Sequence, residues 1–275
     1  ITLLDEFMGE AGKDEKLLHR VITAYGDDSV QQLLGQHIVV ENASNLLTKK
    51  LEWGRLAAYL EQSTRYIYFD QKDKNGAYKY VVPETLDPGV KQAYVAAMDQ
   101  IFDKYSLMVR KLTEYVRSHS SVPKEEQDVA WQGATRAQAC DAIRPVLPVA
   151  TKSTVGIYAS GQALESLILH LMSDELVEAQ VTGEKILREA RKNIPAFLER
   201  ADKPERGGAW MAYRANTAKA VKKLSDNYLP ATYADGENPV QMTSVWPRNE
   251  FDLVPDMLYE HASQSLRDIE EEVAA

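Results

Sequence analysis

Cysteine is nearly absent. Cys140 is the single thiol among 275 residues, so no disulfide can close within the chain, and a reducing, cytoplasmic compartment fits. Histidine is scarce as well. The five histidines, at 19, 37, 119, 170 and 261, stand far apart and form no His-x-x-x-His pair, so no zinc-ligand spacing is present and no metal is expected. No glycine-rich loop of the dinucleotide or nucleoside-triphosphate kind occurs among the 14 glycines. No run approaches the roughly 18 apolar residues of a membrane span, so no membrane partner is expected. Positive charge is in deficit: 32 Lys and Arg face 41 Asp and Glu, for a net charge of -9. Such a chain has no overall pull toward nucleic acid or anionic lipid, although a local basic pocket for one phosphate remains compatible with it. The chain opens on Ile1 rather than Met, which leads us to expect further residues upstream.

Apolar residues make up 44% of the chain, enough for one large core or two small ones. Residues 3–34 read as short helices, with Leu17, Leu18, Val21 and Ile22 at helical spacing. "QHIVVEN" is a β-branched run suited to a strand, and "SNLLTKKLEW" is helical up to Trp53, where Gly54 stops it. "RYIYF" has strand composition, "DQKDKNG" a turn, and "AYKYVVP" the returning strand of a hairpin. From 88 to 119, Val90, Tyr94, Met98, Ile101, Tyr105, Met108, Leu112 and Tyr115 repeat at three and four, predicting one long amphipathic helix. The next helix ends where Pro145 and Pro148 forbid continuation. A helix capped by Ser160 follows, with Leu164, Leu167, Ile168 and Leu171 as its stripe. A longer one is expected from 174 to 202 with a kink at Pro195, then a strand at 239–247 and a helical, acidic end at 250–273. A strand and a hairpin followed by many helices is an α+β pattern: a small, mostly antiparallel sheet packed with long helices.

Few residues offer chemistry. Cys140 is flanked by Ala139 and by Asp141 and Ala142, a helix-packing surface that suits a buried, inert thiol. His170 sits on a helix rich in Leu and Ile and reads as a satisfied histidine. Arg55, Arg65 and Arg144 are the candidates for an anion site. In an extended "EQSTR" stretch, Glu61, Ser63 and Arg65 share one side and offer several donors to a phosphate. In a helical one, Glu61 and Arg65 form an ordinary i,i+4 ion pair. The residues alone leave both open.

"RLAAYLEQSTRY" resembles the signature of the flavin-dependent thymidylate synthases, in which Arg-His-Arg is followed by Ser and then by Glu-x-Ser-x-Arg. Ungapped, the second arginine of that signature falls on Arg55, and its Glu, Ser and Arg on Glu61, Ser63 and Arg65. "YGDDSVQQ" is similar to the family's upstream segment and places Gly26, Ser29 and Val30. "IRPVLPVAT" is similar to its Arg-x-Val-Leu-Pro segment and places Arg144. "LESLILHLM" and "EAQ" look like the downstream helix and its His-Ala-Gln. The pieces keep the family's order across residues 20–200.

The resemblance implies an enzyme that binds FAD and dUMP between subunits of a homo-oligomer. Such an enzyme methylates dUMP at C5, with methylenetetrahydrofolate and NADPH as co-substrates. Arg144 would be the catalytic-site arginine. Glu61, Gln62, Ser63, Arg65 and Arg144 would bind the nucleotide, and Ser29 and Arg55 the flavin. Departures are concentrated on the flavin side. Trp53 and Gly54 replace Arg-His, Ala58 the middle Ser, Leu60 an Asn, Asp27 a His, and Gln32 a Glu. Ser160 and Gln162 stand where the family has Asn and Arg, and Glu178 where it has His. These losses raise the alternative of a catalytically silent copy that serves as an interface partner. A synthase-like domain is expected over 1–237. The segment 238–275 has the order with which these synthases begin, so it is expected to open a second, similar domain of a duplicated protein.

Overall fold

The computed structural model describes residues 32, 34–228, 245–247 and 249–274. The short helices expected before residue 34, Ser29 among them, lie outside the described residues, as does most of the strand expected at 239–247. The chain divides into two compact units, Ile1–Lys222 and Lys223–Ala275.

The first unit is built on three antiparallel strands in the order β1-β3-β2. Their spans are β1 Gly35–Ser44, β2 Ala57–Glu61 and β3 Lys152–Ser160. Nothing in the expectations above places a strand at β3, yet it is the central one. Its side chains alternate as the pleat requires, with Ser153, Val155, Ile157 and Ala159 buried on one face. The pairing of β1 shifts register between Val40 and Ala43, and Asn42 there takes φ 60°, a left-handed conformation that asparagine tolerates better than most residues. The bulge delivers Ser44 to the start of helix α1, Asn45–Leu51, where its Oγ accepts a hydrogen bond from Leu47 N at 3.0 Å.

Helices α4 (Gly161–Met172) and α5 (Val177–Ala190) cover the buried face of the sheet together with α1. Ser160 caps α4 as expected, and Leu164, Leu167, Ile168 and Leu171 are its buried stripe. Helices α4 and α5 meet closely at Gly183, where a Cβ would come within 2.8 Å of the Met172 side chain. The helix expected from 174 to 202 forms only over Val177–Ala190. Helix α5 ends at Ala190, ahead of Pro195, and a short 3-10 turn takes over at Ala196–Leu198. Helix α6 then spans Ala209–Tyr228.

A second core lies between α2 (Pro88–Ser118), α3 (Val129–Ile143) and the segment 67–82. The long helix forms as expected, but its buried line is Phe102, Tyr105, Val109 and Thr113, while Val90, Met108 and Tyr115 are exposed. The hairpin expected at 65–83 is absent. β2 lies earlier, and residues 67–82 make one isolated bridge, Tyr80 to Thr151. The tyrosines of that segment serve α2 instead: Tyr78 donates to Asp103 at 2.6 Å and Tyr80 to Asp99 at 2.9 Å, with both rings against Phe102. Aromatic burial on a helix outweighs the strand propensity of the same residues.

In the second unit, the helical stretch expected at 250–273 is two helices, α7 Val254–Tyr259 and α8 Leu266–Ala274. Ser265 restarts the helix: its Oγ accepts from Asp268 N at 3.3 Å and donates to Asp268 Oδ2 at 2.7 Å.

The second core holds one misfit. The hydroxyl of fully buried Tyr105 makes no well-formed hydrogen bond among the described residues, although the Phe69 backbone and the Cys140 thiol stand beside it, and burial pushes its ionisation well above the ordinary phenol range. Tyr105→Phe removes the orphaned donor and keeps the ring, so stability in urea should hold or rise by about 1 kcal/mol. A loss of more than about 1 kcal/mol would mean the hydroxyl is bonded in solution.

Candidate functional site

The stretch that carries the signature is neither a strand nor a helix throughout. β2 ends at Glu61. The backbone stays tied to β3 for one more residue, with Gln62 N donating to Thr154 O at 2.8 Å and Ser153 Oγ donating to Gln62 O at 3.3 Å. Ser63 Oγ then accepts from Arg65 N at 3.2 Å, a serine turn that redirects the chain. Glu61 and Arg65 part company there, so neither the shared extended face nor the helical ion pair forms. Glu61 instead pairs with Lys49 Nζ of α1 at 3.0 Å.

Arg65 goes to Asp141, in the last turn of α3. Its Nε lies 3.1 Å from Asp141 Oδ1 and its Nη2 3.4 Å from Oδ2. Arg144 reaches the same atom, with its Nε 3.1 Å from Oδ1. These are ion pairs by distance without directed hydrogen bonds to Oδ1, which has no hydrogen-bond partner among the described residues. Arg144 stands at the joint between α3 and the proline-bounded turn Arg144–Val146, closed by Leu147 N donating to Arg144 O at 2.9 Å. Two arginines remote in sequence thus converge on one carboxylate.

Beside them opens a cavity of about 510 Å³, lined by Lys49, Glu61, Gln62, Ser63, Thr64 and Arg144 among others. Its wall from α1 is fixed by Asn45 N and Leu46 N, which donate to Thr151 O at 2.9 Å and to Val149 O at 3.1 Å. Lys49 lines this cavity but was not singled out in the sequence, because its approach to Glu61 depends on the sheet. Burial pulls its ammonium down, but the hydrogen bond to Glu61 and the charges of Glu61 and Glu52 outweigh that, so its pKa stands above the ordinary lysine value. Asp141 was visible only as a neighbour of Cys140. That thiol is buried, and burial raises its pKa, as expected of an inert cysteine.

Arg55 is not part of this group. It lines a separate cavity of about 500 Å³ with Lys50, Trp53, Gln162, Ser166 and His170. Lys50 Nζ is held by Asp174 at 2.6 Å, and His170 Nδ1 lies 2.8 Å from Ser166 O of its own helix. Gln162 hydrogen bonds with Gln32. Trp53 is 79% exposed. Glu178 turns away from both cavities: its carboxylate accepts from Ser44 N at 2.8 Å and from Ser44 Oγ at 2.7 Å, joining α5 to the β1–α1 corner. No group of three or more His, Cys, Asp or Glu placed to hold a metal ion occurs among the described residues, and no helix there is long and apolar enough to cross a membrane.

Residues 3–196 match the family model for thymidylate synthase complementing protein. A UPF0159 protein of Chlamydia pneumoniae is 31% identical over 268 residues, which is 96% of this chain and 50% of its own length. A second UPF0159 protein, from Chlamydia muridarum, is 29% identical over 91% of this chain and 48% of its own length. The chain therefore spans about half the length of these curated relatives. A solved thymidylate synthase X from Helicobacter pylori, described with FAD and dUMP, is similar at 17% identity and a TM-score of 0.49, over 73% of this chain and 88% of its own.

The Glu178 contacts define a stability test. Glu178→Ala strips a charged acceptor from Ser44 N and Oγ at the α1 cap, and should lower stability by about 2 to 3 kcal/mol in chemical denaturation. Ligand affinity at the cavity beside Arg144 should be unchanged. An unaltered denaturation midpoint would remove Glu178 as the clamp of that corner.

Proposed function

The chain belongs to the thymidylate synthase complementing protein family, and from that premise we propose that it carries the nucleotide half of a flavin-dependent thymidylate synthase-like site, with dUMP as its ligand. The observation that carries this reading is the meeting of Arg65 and Arg144 on one carboxylate oxygen, each at 3.1 Å, beside a cavity that Arg144 lines with Lys49, Gln62 and Ser63. Arg65 and Arg144 would take the phosphate, with the Ser63 hydroxyl as a further donor. Glu61 and Gln62 would line the nucleotide. Guanidinium groups suit a phosphate because their planar N–H forks match its oxygens. Methylation of dUMP at C5 with methylenetetrahydrofolate, reduced FAD and NADPH would require flavin-holding groups from a second domain or subunit. Arg144 is then the arginine at the reacting nucleotide.

The residues around Arg55 do not fit FAD held by this chain alone. A dinucleotide brings two phosphate charges. Arg55 is the only unpaired cation in that cavity among the described residues, because Lys50 is held by Asp174 at 2.6 Å. Trp53 occupies a position where the resemblance implies an arginine. Ser29, the other expected flavin contact, lies outside the described residues.

A second reading has its own support. Glu178 is committed to Ser44, which makes a site residue of the family into a packing contact. Together with the twofold length of the relatives, this favours a silent synthase-like half that serves as interface partner to a second, similar domain, or to another copy, in a duplicated protein. Residues 238–275 would open that second domain.

Two measurements separate the readings. Calorimetry should give saturable dUMP binding and no tight FAD binding in its absence; tight FAD binding alone would overturn the lopsided site. Arg65→Ala should weaken dUMP by about 2 to 3 kcal/mol while costing at most about 1 kcal/mol of stability, since its partner pair is exposed. Equal dUMP affinity in variant and parent would rule out the clamp.

A further inference from the structure

The reading above gives Asp141 itself no role toward the ligand, yet both candidate arginines meet on it. Arg65 Nε and Arg144 Nε each lie 3.1 Å from its Oδ1. Two guanidinium groups brought this close repel each other, and the carboxylate between them replaces that repulsion with two attractions. Where it does so matters. Oδ1 is buried, whereas the Arg65 and Arg144 side chains are 52% and 46% exposed. The Asp141 side chain is itself 41% exposed, so the three groups stand together at the surface with Oδ1 enclosed.

The contacts also use one edge of each guanidinium. Arg65 engages through Nε and Nη2, and Arg144 through Nε. Arg65 Nη1 and both Nη groups of Arg144 have no acceptor among the described residues. An anion competing for the place of a phosphate would occupy those terminal donors and would accept directed hydrogen bonds. Asp141 leaves those donors free: its Oδ2 accepts only from Arg65 Nη2, at a long 3.4 Å, and its Oδ1 has no hydrogen-bond partner among the described residues. The trio retains one net positive charge, and the nearby Lys49 is already committed to Glu61 at 3.0 Å.

We propose that Asp141 is a positioning residue, holding Arg65 and Arg144 together by their Nε edges so that their terminal donors act jointly on the phosphate monoester of a nucleotide. The proposal rests on the reading of this cavity as a nucleoside monophosphate site. It adds that phosphate recognition fails without a residue that never touches the phosphate. Loss of Asp141 lets the two cations separate, and the paired donor set that suits a phosphate becomes two independent single donors.

The test compares dUMP with deoxyuridine, which lacks the phosphate, by calorimetry on the full chain. The parent should prefer dUMP. Asp141→Asn, close to isosteric with the native side chain, should weaken dUMP about tenfold and leave deoxyuridine unchanged. Asp141→Glu, which restores the carboxylate, should recover most of that loss. In the Arg65→Ala background, Asp141→Asn should have little further effect, because the two residues act as one unit. A purely structural role would lower the affinity for both ligands alike, and that outcome overturns the proposal. Unchanged or tighter dUMP binding in Asp141→Asn overturns it too, the latter by making Asp141 a competitor. A parent that does not distinguish dUMP from deoxyuridine refutes the phosphate site itself, and the proposal with it. Should Asp141→Asn not fold, the 15N signals of the Arg65 and Arg144 Nε–H groups in the parent decide. Both should shift with dUMP and neither with deoxyuridine, and independent behaviour sinks the coupling.

Discussion

The central strand has two edges to fill, and filling both is the constraint from which the candidate site follows. β3 pairs antiparallel with β1 along one edge and with β2 along the other. The first pairing sets the β1–α1 corner and with it Lys49. The second holds the end of β2, and the backbone tie from Gln62 to Thr154 carries the alignment past the last strand residue. Because β3 follows directly on the turn after α3, the same pairing draws Arg144 and Asp141 toward residues 61–65. A strand left with an open edge would leave these groups on separate parts of the chain.

Electrostatics then sorts the charged residues into local sets. Glu61 is taken by Lys49, Arg65 and Arg144 by Asp141, Lys50 by Asp174, and Glu165 by Arg200 at 2.9 Å. In a chain of net charge -9, two arginines sharing one carboxylate leave a local surplus of positive charge. What distinguishes the cavity beside Arg144 from the one beside Arg55 is that two guanidinium groups converge there, whereas the lysine beside Arg55 is already paired with Asp174. The two cavities flank the same short strand, so a change in the pairing of β2 would disturb both.

Much of the helical architecture was legible because a helix announces itself over many residues. The three-and-four repeat from 88 to 119, the Ser160 cap and the Leu stripe of α4 all recur in the fold. β1 was legible from its β-branched run. The hairpin was not, because Tyr78 and Tyr80 have strand composition but find better burial and hydrogen bonds on α2. β3 went unread although "KSTVGIYAS" alternates, since a nine-residue signal is easily passed over between two helices. For the candidate site, Glu61, Ser63, Arg65 and Arg144 were singled out through their spacing in a family signature. Their partners were not, because no local pattern marks a contact between distant segments.

The sequence by itself determined the class of the protein: an acidic chain with one thiol, long amphipathic helices, a short sheet, and a signature whose nucleotide side is better kept than its flavin side. These are properties of composition and of local period, and they need no knowledge of what touches what. Only the tertiary structure decided that Glu61 answers to Lys49, that Glu178 braces a helix cap, and that Arg65 and Arg144 share Asp141. An ion pair is set by distance in space, and the antiparallel register of the central strand makes these distances short.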